Sequence, residues 1–202
     1  MLSARTKGNP VAVAIAIVAA VISIGQVSYE DYFAGAQFIH FLLGTATVSL
    51  AVPIYRGVAS LKGRALPLLV ALFYGGGTSI LTAVGLARLL GGDAQIVRAM
   101  YAKSVTAPIG MGIAERIGAA PTLTAVFAVT TGILGAILAP FVLNALRIVP
   151  GWQRGFSAGL AAHGLGTSRA FQVAQENGMF ASLAMGLHGI LGALLIPLLA
   201  RL

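Results

Sequence analysis

The sequence of 202 residues contains no cysteine and very few charged residues. Without cysteine the chain has no disulfide, no thiolate metal site and no cysteine nucleophile. Charged residues make up 9% of the chain, whereas a soluble domain carries about a quarter. So few charges would not cover the surface of a water-soluble protein of this size.

What the sequence has instead is apolar residues. They make up 58% of the chain, and the mean hydropathy is +0.93, so the sequence predicts an integral protein of the lipid bilayer. The net charge of +8 comes from 13 Lys and Arg against 5 Asp and Glu. Because these charges fall between apolar runs, they are typical of the positive-inside rule, and no nucleic-acid partner is predicted.

Five apolar runs are long enough for spanning helices, which need about 20 residues. They are Pro10–Val27, Gln37–Tyr55, Ala65–Leu90, Thr122–Leu146 and Met179–Leu199. Two further segments, Asp93–Gly118 and Gly155–Glu176, are long enough but are interrupted by polar residues, glycine and proline. The first run has no cleavage site ahead of a soluble domain, so it predicts a membrane helix and no signal peptide.

Loop charges predict an orientation with the N-terminus inside. Arg5 and Lys7 precede the first run, and Lys62 and Arg64 precede the third. If both interrupted segments cross the membrane, the loop with Arg147 lies outside, against the rule. If both are re-entrant hairpins, that loop lies inside, and the chain forms two inverted units, each a hairpin followed by a span. We prefer the second arrangement, which is typical of transporters, and keep broken crossing helices as the alternative.

The first interruption, residues 103–110, predicts an anion site. Pro108 cannot donate a backbone hydrogen bond, so the helix should break just before it and restart at about Ile109. The restarted helix would direct its positive dipole end at the break. Lys103 adds a full charge there, and Ser104 and Thr106 add hydroxyl groups.

The second interruption combines glycines, hydroxyls and basic groups, in the order His163, Gly164, Gly166, Thr167, Ser168 and Arg169. The glycines permit a turn at low steric cost. Thr167 and Ser168 are predicted N-caps of the helix that follows. Arg169 can bind a carboxylate through two parallel hydrogen bonds, and His163 can donate a hydrogen bond or carry a proton.

Each of these features also has an ordinary structural interpretation. Small residues in membrane helices usually permit close packing. Lys103 and Arg169 can extend to an interface along apolar surface. His188, alone on an apolar run, is interpreted as a packed residue rather than a ligand. Ionisable residues within a membrane are nevertheless costly, and two paired breaks favour a functional site.

Sequence motifs for enzymatic chemistry are absent. There is no Walker motif for ATP-driven pumping. The few Asp and Glu lie near predicted helix ends, which argues against a carboxylate metal site. Ser168 and His163 have no acidic third partner nearby, so hydrolysis is not predicted. The chain is therefore expected to be no enzyme, with no catalytic residue, metal or cofactor.

Several multi-residue signatures resemble the LrgB/CidB family. They are LLGTATVSLAVPIY, KSVTAPIGMGIAERIG, PTLTAVFAVTTGILGA, RGFSAGLAAHGLGTSRAFQ and SLAMGLHGILGALLIPLL, in the family's order. The resemblance implies a single domain over residues 1–202. It also implies one more helix ahead of Asn9, which is missing here, and a proline where Thr45 stands. No transit peptide precedes the first run, so a bacterial inner membrane is expected rather than a plastid envelope.

The resemblance implies two functions. Bacterial members are regarded as antiholin-like proteins that influence murein hydrolase export and lysis with a small LrgA/CidA-like membrane partner. A plastid relative carries glycolate and glycerate, and some bacterial relatives are linked to pyruvate or lactate. A carrier needs donors and positive charge at the membrane centre, and the two breaks supply them. We therefore expect a carrier of small monocarboxylates that is proton- or ion-coupled and able to self-associate, with the antiholin-like role as the alternative.

Overall fold

The computed structural model describes residues 10–49, 52, 55, 57 and 61–201. Secondary structure within these residues is helical, so the predicted all-α class is confirmed. The helices are α1 (Pro10–Ile24), α2 (Tyr29–Ser49), α3 (Ala65–Leu89), α4 (Ala94–Met100), α5 (Ala107–Ile117), α6 (Pro121–Ala145), α7 (Gly151–Val173) and α8 (Gln175–Leu199).

The chain divides into two compact units, and the first of them is residues 1–46. It contains α1 and most of α2. α1 ends at Ile24, short of the predicted Val27, and at 1.5 Å per residue its 15 residues span about 22 Å. α2 begins at Tyr29, before the predicted Gln37, because Ser28 Oγ accepts a hydrogen bond from the backbone N–H of Asp31 at 3.1 Å and so caps the helix.

The second unit, residues 47–202, contains the remaining helices. Among the described residues, α3, α6 and α8 are long and apolar enough to cross a membrane, and each has 25 residues. Their bounds lie within four residues of the predicted runs. Large apolar side chains on all three are exposed, including Leu81, Phe141 and Leu194. Such surfaces suit hydrocarbon rather than water, and the chain is a membrane protein.

The first interrupted segment folds back on itself. The residues between α4 and α5 reverse the chain, and hydrogen bonds join the far ends of the two helices. Gln95 Nε2 and Arg98 Nη1 each donate to the carbonyl oxygen of Gly118 at 3.4 Å. The backbone N–H of Ala120 donates to Gln95 Oε1 at 3.0 Å. Helices α4 and α5 therefore form a hairpin, the first hairpin, with its reversal at residues 101–106.

The second interrupted segment also folds back, within α7. His163 is its one residue with non-helical backbone angles. A Cβ atom on Gly166 would overlap the carbonyl oxygen of Ala158, eight residues earlier. Residues eight apart in a straight helix are separated by about 12 Å. The two halves of α7 therefore lie side by side and form the second hairpin, with its reversal at His163.

The two hairpins begin at opposite ends of the second unit. Arg64 Nη1, before α3, lies 3.6 Å from Glu176 Oε1 at the start of α8, and its guanidinium carbon lies 5.3 Å from the ring centroid of Trp152 in α7. The starts of α3, α7 and α8 thus lie together. The first hairpin follows the other end of α3 and leads into α6, which returns toward the start of α7.

Candidate functional site

The first reversal places a lysine and a serine inside the protein. Lys103 is half-buried, and its Nζ donates a hydrogen bond to Ser79 Oγ on α3 at 3.4 Å. Ser104 is 1% exposed, and its Oγ has no hydrogen-bond partner among the described residues. A buried polar group without a partner costs roughly 1–3 kcal/mol. The reversal therefore holds a cation and a hydroxyl whose bonding capacity is incompletely used.

The helix after this reversal begins at Ala107, not at the predicted Ile109, because Pro108 occupies the first turn, where a missing N–H is tolerated. Thr106 is the N-cap residue with extended backbone angles, and its side chain makes no capping hydrogen bond. The first amides of α5 and its positive dipole end therefore face the reversal, as predicted. Thr106 and Pro108 are both partly exposed there.

The second reversal depends on one residue, His163, with φ 38° and ψ −123°. These angles are rare for a residue with a side chain and cost about 1–3 kcal/mol, which the surrounding packing must offset. The ring is 5% exposed, and its Nε2 lies 2.9 Å from the carbonyl oxygen of Ala128 on α6. If Nε2 carries the proton it donates this bond. His163 is thus both the hinge of the turn and a buried polar group at its centre.

Two predictions about the second reversal are wrong. Thr167 and Ser168 are not N-caps, since both lie inside the returning half of α7, where backbone angles are helical. Gly164 and Gly166 do not supply the unusual backbone angles either. Gly166 instead permits the close contact of the two halves, and Gly164 lies near Met185. The glycine-rich stretch is therefore required for packing beside the turn rather than for the turn itself.

Arg169 lies on the returning half of α7, where it lines a cavity of about 140 Å³ between this hairpin and α6. Its guanidinium donates from Nη1 to Gln172 Oε1 at 2.9 Å. Arg154 lines the same cavity, and its Nη1 donates to the carbonyl oxygen of Ile148 at 2.7 Å. Among the described residues no carboxylate lines this cavity, and their hydrogen bonds leave most donors of both arginines available for an anion.

Both reversals contact the middle of α8. Thr167 Oγ1 lies 3.9 Å from Met185 Sδ. A Cβ atom on Gly192 would come within 2.8 Å of Val105 Cγ1 at the first reversal. At 1.5 Å per residue these two positions on α8 are about 10 Å apart. The structure thus brings the two sequence breaks to neighbouring levels of one helix.

A third group, His188, occupies the same level and was set aside by the sequence interpretation. It is 5% exposed, and its Nε2 has no hydrogen-bond partner among the described residues. His188 and His163 both lie within electrostatic range of Lys103. Three basic side chains from the first reversal, the second reversal and α8 therefore converge. A lone histidine in an apolar run gives no signal of this, because the convergence depends on tertiary structure.

The other residues predicted for the site lie farther from the place where Lys103 and the two histidines meet. Ser168 and Arg169 are exposed, while Thr167 is buried against Met185. Among the hydrogen bonds of the described residues, none joins Lys103 to Arg169. The described residues also hold no group of three or more metal-ligating side chains. The basic side chains thus form two sets, one where Lys103 lies near the two histidines and one at the cavity of the arginines.

Comparison with known proteins identifies similar chains. The model of the LrgB-like family matches residues 3–202. Uncharacterized protein YwbG of Bacillus subtilis is 32% identical over 195 residues, covering 96% of this chain and 87% of that protein. Holin-like protein CidB of Staphylococcus epidermidis is 30% identical over 202 residues, covering 96% and 85%. No solved structure gives a significant match.

Proposed function

Since this chain belongs to the LrgB-like family, we propose that it is a membrane carrier of small 2-hydroxy or 2-keto monocarboxylates such as glycolate, glycerate, lactate or pyruvate, coupled to protons or another ion. The observation that carries the proposal is that Lys103, His163 and His188 lie near one another beside Ser104, whose buried hydroxyl has no partner among the described residues. A half-buried ammonium with no carboxylate partner among the described residues is costly unless an anion completes the site. A protein that only anchors or packs has no need of such a cluster.

In this proposal both hairpins are re-entrant and the molecule consists of two inverted units, α4 to α6 and α7 to α8. Support comes from the hairpin bases, which lie at opposite ends of the second unit. Further support comes from Arg64 and Glu176, whose contact puts the loop with Arg147 at the same end as Lys62. Both basic loops then face the cytoplasm, in agreement with the positive-inside rule.

The substrate lies between the two reversals in this mechanism. Lys103 and the N-terminus of α5 attract the carboxylate, and the hydroxyls of Ser104 and Thr106 bind it or the 2-hydroxyl group. Gly164, Gly166 and Thr167 shape the opposite wall, and His163 passes the coupled proton. Arg169 binds the carboxylate in the 140 Å³ cavity, with Ser168 beside it. Movement between the cavity and the reversals would then be one step of transport.

The experiment is uptake of labelled glycolate, lactate and pyruvate into proteoliposomes, with and without a pH gradient. We expect saturable uptake that the gradient accelerates. Arg169→Ala should lower kcat/KM by about tenfold or more, since hydrogen bonds to charged groups contribute about 1.5–3 kcal/mol. Arg201→Ala is the matched control, because Arg201 is also exposed but lies beyond α8. Equal effects of the two substitutions would refute the assignment of Arg169.

A second candidate is an antiholin-like regulatory subunit that controls murein hydrolase export and lysis. The specific support is the name Holin-like protein CidB carried by a relative of 30% identity. This function predicts ion leak or lysis phenotypes that depend on a small LrgA/CidA-like membrane partner, without saturable uptake. If no carboxylate uptake is found even with that partner present, the antiholin-like function is favoured. Normal lysis control by a transport-dead Arg169→Ala chain would separate the two functions.

The proposed location is the inner membrane of a bacterium, with the described spans crossing it several times. The three apolar helices support a membrane location, and the organisms of the relatives support a bacterial one. A carrier of this kind requires no catalytic residue, metal or cofactor. Self-association is compatible with the broad apolar surface of α3 and α6, and cross-linking in the membrane tests it.

A further inference from the structure

The cavity that Arg154 and Arg169 line extends to one end of the second unit. Leu143 in its wall is two residues before the end of α6, and Asn177 is the third residue of α8. Arg154 is the fourth residue of α7, and Arg169 is four residues before its end. At 1.5 Å per residue all four lie within about 6 Å of a helix end. With 25 residues α6 is about 37 Å long, more than the hydrocarbon core of about 30 Å, so this part of the cavity lies at the level of the lipid headgroups.

Both arginines of the cavity lack a carboxylate partner. Within the described ranges the one ion pair joins Arg64 to Glu176, so neither Arg154 nor Arg169 is neutralised. Each of them donates a hydrogen bond to an uncharged acceptor, a backbone carbonyl in one case and a glutamine side chain in the other. Guanidinium groups bind phosphate oxygens through paired hydrogen bonds. An anion with several oxygens therefore fits between these two side chains.

The lining of the cavity becomes apolar with depth. Ala136 is nine residues before the end of α6, about 13 Å from it, and Gly166 is seven residues before the end of α7, about 10 Å. The other apolar residues of the lining are Ala139, Pro140, Leu143, Ala158, Ala170 and Val173. A phospholipid has the same order of polarity, with a charged phosphate at the membrane surface and carbon below it. A soluble phosphate has no group that would use the apolar inner wall.

The volume of the cavity determines how much of a lipid it can enclose. At about 140 Å³ it is close to an apolar cavity of about 150 Å³, which accommodates benzene. It therefore holds a phosphate group and the first carbon atoms attached to it, while acyl chains must lie outside. Next to lining residues of α6, Ile137 is 50% exposed and Phe141 is 69% exposed. These side chains provide an apolar surface on which the acyl chains can lie.

We propose that this cavity binds the phosphate of an anionic phospholipid from the leaflet at this end of the second unit. Arg154 and Arg169 bind the phosphate oxygens, in the manner of basic pockets between membrane helices. Arg147, exposed at the same end, attracts anionic lipid without lining the cavity. Lipid binding does not depend on the carrier function. Where the carrier function holds, lipid and substrate compete for Arg169, and this consequence alone rests on the proposed function.

Quenching by brominated lipids measures which lipid lies beside the cavity. The chain has one tryptophan, so Trp152→Phe combined with Ile137→Trp leaves a single reporter next to the lining of α6. Tyr74→Trp in the same background is the matched reporter, because Tyr74 is exposed on α3 at a similar distance from this end. In phosphatidylcholine bilayers, dibrominated phosphatidylglycerol should be preferred over dibrominated phosphatidylcholine at position 137 by about fivefold or more, the usual contribution of one arginine beside an anionic headgroup. At position 74 the two lipids should quench equally.

Three substitutions separate the cavity from the general charge of this end. Arg154→Gln should abolish the preference at position 137, whereas Arg147→Gln, which removes the same charge outside the cavity, should retain it. Ala139→Leu keeps both arginines but fills the cavity, so it should also abolish the preference and decides the matter if Arg154→Gln fails to fold. An equal loss in Arg147→Gln, or an equal preference at position 74, would mean surface attraction alone and overturn the site. Loss of the preference on adding millimolar inorganic phosphate would assign the cavity to soluble phosphate and overturn the lipid.

Uptake measurements distinguish the lipid site from the carrier function. Adding phosphatidylglycerol to phosphatidylcholine vesicles should raise the KM for glycolate, and Arg154→Gln should remove this dependence on lipid. An unchanged KM despite the lipid preference would overturn the competition for Arg169. Saturable uptake without a lipid preference at position 137 would overturn the lipid site and leave the carrier function. A lipid preference without uptake in either kind of vesicle would support the lipid site and overturn the carrier function.

Discussion

The two hairpins reverse the chain by different means. The first uses six residues, 101–106, and a proline in the first turn of the next helix. The second turns at His163 alone, with a positive φ, and its halves touch through Gly166. The first reversal holds a lysine and a buried hydroxyl that has no hydrogen-bond partner among the described residues. The second reversal is tightly packed, and the ring of His163 is hydrogen-bonded to the backbone of α6.

The difference indicates that the two hairpins have different roles in the protein. The second hairpin packs directly on α8, since Cβ atoms on Gly155 and Gly159 would overlap the backbone of Asn177 and Ala181. Such close contact leaves little freedom to move relative to α8. The first hairpin contacts α8 and α3 through side chains such as Val105 and Lys103. We therefore expect the second hairpin to be the rigid support and the first to carry the ligand-responsive groups.

The largest expected effect is a difference in stability between two variants, each with one methyl group added to one of the hairpins. Gly159→Ala should destabilise the protein by about 3 kcal/mol or prevent folding, because the new Cβ atom meets the backbone of α8 and neither helix can yield locally. Gly112→Ala, in α5 of the first hairpin, adds a Cβ atom where nothing lies within 4 Å and should change stability little. Thermal unfolding in detergent compares the two. Equal melting temperatures would contradict the rigid role of the second hairpin.

The next effect concerns the charge of the first hairpin. Lys103→Met should lower transport kcat/KM about 100-fold, because hydrogen bonds to a charged group contribute about 1.5–3 kcal/mol. Stability should remain equal or rise, since a half-buried ammonium without a carboxylate partner is itself costly. Lys62→Met, at an exposed lysine, is the control and should leave uptake unchanged. Loss of stability with retained uptake would instead make Lys103 a structural residue.

The sequence predicts the parts of the fold that depend on local chemistry. Runs of apolar residues give α3, α6 and α8 within four residues of their bounds, because spanning length and hydropathy are local properties. Pro108 gives the first reversal, since its ring excludes a continuous helix. The early start of α2 depends on the cap at Ser28, which hydropathy alone does not detect.

The second reversal and His188 are the parts that the sequence does not predict. A φ of 38° with a ψ of −123° lies outside the left-handed helical region that histidine sometimes adopts, so the sequence favours the neighbouring glycines rather than His163 as the turn residue. The observed angles are imposed by packing against α6, which is a tertiary constraint. His188 joins the other basic groups only through tertiary structure, because Gly76 packs against its ring and Lys103 lies within electrostatic range, and both are distant in sequence. Sequence spacing within one helix carries no information about such partners.

A smaller effect measures how much free energy of unfolding is lost to the unusual backbone angles at the second reversal. Both His163→Gly and His163→Ala remove the ring and its bond to Ala128, but only glycine adopts a φ of 38° freely. The glycine variant should therefore be more stable than the alanine variant by about 1 kcal/mol. At Ser104, where φ is not positive, the order should be reversed, with Ser104→Ala the more stable. Thermal unfolding of the four variants gives both differences, and the same order at both reversals would contradict the strained turn.

The smallest effect concerns how the base of the second hairpin is held to α3. Arg64 and Glu176 form an ion pair at 3.6 Å whose side chains are 39% and 50% exposed. Solvent screens such a pair, so a double-mutant cycle with Arg64→Gln and Glu176→Gln should give a coupling of about 0–1 kcal/mol that falls as salt is raised. Arg64→Gln alone should cost more than Glu176→Gln, because the guanidinium also lies over the rings of Trp152 and Phe180. A larger, salt-insensitive coupling would mean that charge, rather than glycine-mediated packing on α8, fixes this hairpin.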